Sequence, residues 1–275
     1  MYEIIEARTQ PELPLIPPHP ARRPTVVVIG SAVGLGKEVV RLLHKKKYSI
    51  MEGDVLFDGV RHCNLASVGS VKAFADRIRY PVIDVLVLVA GVCDATGVPV
   101  SGSKHPRMLW VNYLGYVCLL SELETIGIIV KKIVVVSSGS YARGSTAKFF
   151  PSNWGVTEAV QCYSQSKFLL TTHFARLQQL GLNVILINPG PMRTTIGDRH
   201  VPIFLWPIFG LMKEILFPMP SRAAKSVIHC VDTKLKFDYM HIRVRAQLDP
   251  IVLSSGTQQW VLSETCKALP FLKVA

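Results

Sequence analysis

Val26-Val27-Val28-Ile29-Gly30-Ser31-Ala32-Val33-Gly34-Leu35-Gly36 decides the reading of this 275-residue chain. Its run of β-branched residues predicts a buried strand over 25–29. The glycines of Gly30-x-x-x-Gly34-x-Gly36 predict a tight turn. Val39, Val40, Leu42 and Leu43 then recur at helical spacing and predict a helix over 36–47. Glycines let a backbone turn sharply and approach a pyrophosphate, whose charge the following helix N-terminus stabilises. The turn residues Gly30, Ser31, Gly34, Leu35 and Gly36 are the first candidate binding residues. Taken alone, the segment also reads as an ordinary glycine-rich turn between a strand and a helix.

On the N-terminal side of this segment, residues 1–24 hold six prolines and no helical or strand period, and read as an extended arm. On the C-terminal side, short β-branched runs alternate with longer amphipathic stretches. Strands are expected at 48–54, 83–90, 132–137 and 183–187, and helices at 68–78, 107–124 and up to about 179. Continuous apolar strands such as Val85-Leu86-Val87-Leu88-Val89-Ala90 belong inside a sheet covered on both faces. The rhythm predicts an α/β fold, a doubly wound parallel sheet of Rossmann type in a single domain over 25–275.

Composition narrows the function classes. The formal net charge of +12 is spread over short clusters, Arg22-Arg23, Lys45-Lys46-Lys47 and Lys131-Lys132, without interleaved aromatics, which argues against nucleic acid. Attraction to anionic cofactors or to an acidic membrane surface suits it better. No apolar run reaches the roughly 18 residues of a membrane-spanning helix. Glu3 and Glu6 argue against a signal or transit peptide. The six cysteines show no C-x-x-C spacing and no metal-like pairing with the eight histidines, so they read as reduced core residues, no metal is expected and the expected setting is cytoplasmic.

Tyr163 and Lys167, in Cys162-Tyr163-Ser164-Gln165-Ser166-Lys167-Phe168, lie one helical turn apart on one face. A phenol has a pKa of about 10, and a nearby ammonium favours the phenolate and draws that pKa toward the working range. Such a pair arises by chance in many helices; the glycine turn upstream gives it weight. Asp54 falls at the expected end of the second strand, 18 residues beyond Gly36. A carboxylate there can bond both hydroxyls of an adenosine ribose and repel a 2′-phosphate, which favours NAD over NADP. Glu52 and Asp58 compete for that role, and Lys37 alone pulls toward NADP.

From residue 25 to 268 the chain resembles the short-chain dehydrogenase/reductase family, most of all its retinol-dehydrogenase and WW-domain-oxidoreductase branch. The matches are the glycine turn, Ala90-Gly91, Asn112 in Trp-Val-Asn-Tyr, Ser138 in Val-Val-Val-Ser-Ser, Tyr163, Lys167, and Asn188-Pro189-Gly190-Pro191-Met192-Arg193-Thr194. The resemblance implies that Tyr163 exchanges a proton with the substrate oxygen while hydride moves to or from the nicotinamide. It implies that Lys167 bonds the nicotinamide ribose, Ser138 aligns the substrate oxygen, and the helix of Asn112 holds a water linking Lys167 to solvent. Tyr163, Lys167, Ala90, Gly91, Pro189, Gly190, Met192 and Thr194 would also contact the cofactor. Ile29, Leu88-Val89 and Asn64 depart from the family pattern, Asn64 where an aspartate normally bonds the adenine. The stretch from Asp54 to Asn64 is also too short for the usual helix.

These readings converge on an NAD(H)-preferring oxidoreductase, with NADP as the alternative cofactor, interconverting an alcohol and a carbonyl on an apolar small molecule. The apolar stretch from Val201 to Pro220, in a lid around 191–220, offers Phe204, Trp206 and Phe209 as substrate-lining residues. The same face could meet a bilayer, and a homo-oligomer is open. The rivals are a non-catalytic dinucleotide-binding sensor or scaffold, and an epimerase or dehydratase on the same scaffold.

Overall fold

The computed structural model describes residues 23–93, 99–100, 102–150, 156–192, 219–234 and 238–271. β1 (Thr25–Ile29) leads through the glycine turn into α1 (Gly34–Lys45) and β2 (Ser49–Gly53). α2 (Val68–Asp76) precedes β3 (Val82–Ile83) and β4 (Val85–Leu88). The helix α3, residues 107–125, contains a π turn at Trp110–Leu114. β5 (Ile129–Val130), β6 (Ile133–Val136), α4 (Val156–Gln179) and β7 (Val184–Asn188) follow. The chain then forms α5 (Pro220–Asp232), the hairpin β8 (Tyr239–His241) and β9 (Val244–Ala246), α6 (Pro250–Leu253) and α7 (Ser255–Ala268).

One seven-stranded sheet has the order β2-β1-β4-β6-β7-β8-β9, with β3 and β5 paired separately. Every pair in the large sheet is parallel except β8–β9. Alternation of side chains divides the core in two. Val26, Val28, Val87, Val134, Ile185 and Ile187 pack under α1 and α5 with Val39, Leu43 and Val227. Val27, Ile29, Leu86, Val135 and Leu186 pack on the opposite face with Phe74, Leu119, Phe168 and Phe174. Burial on both faces is why these strands read as unbroken apolar runs. The expected doubly wound, single-domain fold is what the structure shows.

Three local expectations need correction. The strand expected over 83–90 is broken at Asp84, whose carboxylate accepts the Thr25 N–H at 2.8 Å and pairs with Lys131 at 2.9 Å. The helix expected over 36–47 starts and stops two residues earlier. Cysteines 63, 118, 162 and 230 are buried, but Cys93 is partly exposed and Cys266 exposed. The short stretch after Asp54 forms a single 3-10 turn, Gly59–Arg61, and an isolated parallel bridge from Asp54 to His62, with no full helix between. Among the described residues no helix is long and apolar enough to cross a membrane.

Candidate active site

The glycine turn lies where β1, α1 and the end of β4 meet. Gly30 has φ +91°, and a Cβ there would stand 2.4 Å from the Ala90 backbone nitrogen. A Cβ on Gly36 would fall 1.8 Å from the Gly30 carbonyl oxygen. Backbone therefore packs on backbone, and only glycine permits it. Ser31 is buried, and its hydroxyl has no hydrogen-bond partner among the described residues. Leu35 packs into the core beneath α1, which leaves only its backbone for a ligand.

Asp54 follows the last residue of β2 and reaches this turn. One carboxylate oxygen accepts the Ala32 N–H at 3.1 Å, and the other accepts the Leu56 N–H at 3.0 Å. Asn64, partly buried, accepts the Ala66 N–H on its side-chain oxygen at 3.0 Å and so shapes the approach to α2. Ala90 forms the wall under Gly30, with its carbonyl accepting the Tyr116 hydroxyl at 2.6 Å.

The proposed catalytic residues gather beyond β4 and β6. Asn112 sits in the π turn of α3, fully buried. Its side-chain oxygen accepts the Val92 N–H at 2.8 Å, and its nitrogen donates to the Val92 carbonyl and the Ser166 hydroxyl, each at 2.9 Å. Ser166 in turn donates to the Tyr163 carbonyl at 2.7 Å. Asn112 thus ties the loop after β4 to the helix carrying Tyr163. Ser166 is the residue that sequence reasoning missed, because a serine inside a helix carries no signal of its own.

Lys167 is buried, donates to the Val136 carbonyl at 3.0 Å, and stands 5.8 Å from the Tyr163 ring centre. Its Nζ and the Asn112 side-chain oxygen are each 3.6 Å from where a Cβ on Gly91 would lie. Burial draws the Lys167 ammonium down to about 8. Tyr163 moves the other way. Burial pushes its phenol up to about 12, and a hydrogen bond with Ser138 opposes the rise. The expected lowering of Tyr163 by Lys167 is therefore not what the protein alone produces: removal of water outweighs the opposing hydrogen bond with Ser138. Ser138 caps the turn Gly139–Arg143 and accepts from the Ser140 hydroxyl at 3.0 Å.

On the far side, Asn188 accepts the Gly190 N–H at 3.0 Å and shapes the Pro189-Gly190 turn. Met192 packs, partly buried, against the core under α1. Thr194, Phe204, Trp206 and Phe209 lie outside the described residues, as do most of the arm and the lid.

Buried strand ends, the glycine turn, and a tyrosine and lysine on one helix face thus meet at one edge of the parallel sheet. No family model matches the chain. Among curated proteins, retinol dehydrogenase 14 of Homo sapiens is 30% identical over 181 residues, 62% of this chain and 53% of that protein. Its Mus musculus counterpart is 32% identical over 184 residues. Dehydrogenase/reductase SDR family member 13 of Bos taurus is 29% identical, covering 61% of this chain and 46% of that protein. The chain spans about half the length of the curated relatives it matches. Among solved structures, a short-chain dehydrogenase family protein from Francisella tularensis superposes with TM-score 0.59 at 17% identity, over 80% of this chain and 97% of that one. The 3-alpha-hydroxysteroid dehydrogenase of Pseudomonas sp. B-0831, complexed with NADH, superposes with TM-score 0.56 at 19% identity, over 79% and 95%. At these identities the structural likeness is one of fold. The resemblance to the short-chain dehydrogenase/reductase family is borne out by sequence relatives and by fold together.

Proposed function

We propose that the protein is an NAD(H)-preferring oxidoreductase that interconverts an alcohol and a carbonyl on an apolar substrate. The observation that carries this is Lys167: a buried ammonium, one turn from Tyr163, whose one hydrogen bond among the described residues goes to a carbonyl. A buried cation without a paired anion is costly, and proteins keep such groups where chemistry needs them. The backbone cradle at Gly30 and Gly36 and the orphaned Ser31 hydroxyl fit a dinucleotide. In this reading the turn residues from Gly30 to Gly36 hold its pyrophosphate, Asp54 faces the adenosine ribose, Asn64 lies toward the adenine, and Ala90 and Gly91 form the floor. Pro189, Gly190, Met192 and Thr194 take the carboxamide end.

When bound, the nicotinamide supplies or takes up the hydride. Everything else falls to this chain. Tyr163, a phenol held near 12, keeps its proton at neutral pH and donates it to the carbonyl oxygen during reduction. Ser138, hydrogen-bonded to Tyr163, shares the developing charge on that oxygen. Lys167, still charged below pH 8, lowers the cost of the phenolate left behind. Asn112 keeps the helix of Tyr163 in register with the loop after β4.

Tyr163→Phe tests the reading: turnover should fall by roughly 10²–10⁴-fold with NADH affinity retained. Equal turnover in mutant and wild type would remove Tyr163 from the reaction. The names of the retinol and hydroxysteroid dehydrogenases support an apolar substrate, and we place Phe204, Trp206 and Phe209 along its path. Trp206→Ser with Phe209→Ser should then raise KM for long-chain alcohols, and better turnover of short polar carbonyls would count against it. We propose the same segment as the face that meets a bilayer from the cytoplasm. An asparagine at position 64, engaged with its own loop, and the shortened adenosine loop favour a second reading, a non-catalytic dinucleotide sensor. NADH fluorescence titration beside an alcohol and aldehyde panel separates the two, since a sensor binds without turnover.

A further inference from the structure

The β8–β9 turn and the first turns of α5 border a pocket of about 120 Å3 whose polar residues, Arg222, Ser226 and Arg243, the proposed chemistry does not use. Pro189, Ala223 and Ile242 line it together with Arg222 from α5 and Arg243 from the turn. At about 30 Å3 per water, the space holds roughly four waters, enough for one tetrahedral oxyanion. Ser226, one turn beyond Arg222, also lines it. That residue is 5% exposed and its hydroxyl has no hydrogen-bond partner among the described residues. Neither guanidinium is paired with a carboxylate among the described residues. α5 has no acidic residue in its first turn, so the positive end of its dipole is not offset.

The turn that carries Arg243 is itself unusual. Ile242 has φ +56°, a conformation that is a clear outlier for a β-branched residue. It is held by its N–H donating to the Asn188 carbonyl at 2.7 Å. The backbone is thus fixed next to Arg243, which lines the pocket from the β8–β9 turn while Arg222 lines it from α5.

We propose that this pocket binds a phosphate group, with Arg222 and Arg243 as charged donors from two elements and Ser226 donating from the floor. The phosphate could belong to a soluble monoester or to an anionic lipid headgroup. The chemistry of recognition is the same for both.

Two probes distinguish them on the full chain. One is calorimetric titration with inorganic phosphate and glycerol phosphate at fixed ionic strength. The other is co-sedimentation with phosphatidylcholine vesicles that contain or lack phosphatidic acid. Saturable binding of the soluble probes assigns a monoester, binding confined to phosphatidic-acid vesicles assigns a headgroup, and either supports the site. Arg222→Ala with Arg243→Ala should weaken that binding by about 10- to 100-fold, as loss of charged hydrogen-bond partners does. NADH affinity should stay unchanged. Should the double variant fail to fold, Ser226→Val, which keeps both arginines and fills the space, should abolish binding. Binding of neither probe, equal binding by wild type and variants, or parallel loss of NADH would overturn the proposal, the last by merging the arginines with the cofactor site.

Discussion

Replacing Lys167 with methionine should make the protein more stable and nearly inactive. Lys167 is 3% exposed, and burial draws its ammonium from 10.5 down to about 8. That displacement is a penalty on the charged form of about 3 kcal/mol. Methionine keeps most of the apolar stem and removes the charge, while the hydrogen bond to Val136 is lost, at about 1.5 kcal/mol. The net gain at pH 7 is on the order of 1–2 kcal/mol, worth roughly 2–8 °C in Tm for a domain of this size. The sign with pH follows from linkage. The unfolded lysine titrates near 10.4 and the folded one lower, so the wild-type penalty is full below pH 8 and fades as pH rises toward about 10. Wild type should therefore close the gap on the variant across that window. Urea unfolding of both proteins at neutral and alkaline pH, followed by tryptophan fluorescence, measures it. Turnover should drop by roughly 10²–10⁴-fold. A methionine variant less stable than wild type at pH 7, with a difference that ignores pH, refutes the argument that burial governs this site.

His173 is buried against Tyr113 and lowered to about 4, so its contribution is complete above its unfolded pKa and lost as pH falls through the folded one. His173→Gln should flatten the loss of stability between about pH 6.5 and 4, which denaturation at several pH values would show. Gly36→Ala should cost at least about 1–3 kcal/mol, because its Cβ would overlap the Gly30 carbonyl, and calorimetry would detect the drop. Asp54→Ser should weaken NAD and relieve repulsion of NADP; a wild-type preference for NADP in binding titrations would point to Lys37 instead.

The chain announced its fold where chemistry is local. Strand, glycine turn and helix from Thr25 to Lys45 follow from short-range rules, and so does the placement of Tyr163 and Lys167 on one helix face. What stayed hidden depends on tertiary contacts. The rise of Tyr163 to about 12 comes from burial that no spacing reveals. The break at Asp84 requires Thr25 and Lys131 beside it. β8 and β9 are three residues each, too short for a period. Their turn places an isoleucine in a conformation that usually calls for glycine, so no hairpin signal was there to read.

The π turn at Trp110–Leu114 has an evolutionary side. It amounts to one extra residue accommodated within a helix, the swelling that brings Asn112 against Val92 and Ser166. Deleting a single residue there would let the segment relax into an ordinary α-helix, with the downstream turns free to keep their packing. The asparagine would lose its hold on the neighbouring loop. A single deletion in this segment would thus uncouple the loop after β4 from the helix of Tyr163 while sparing the sheet and its packing.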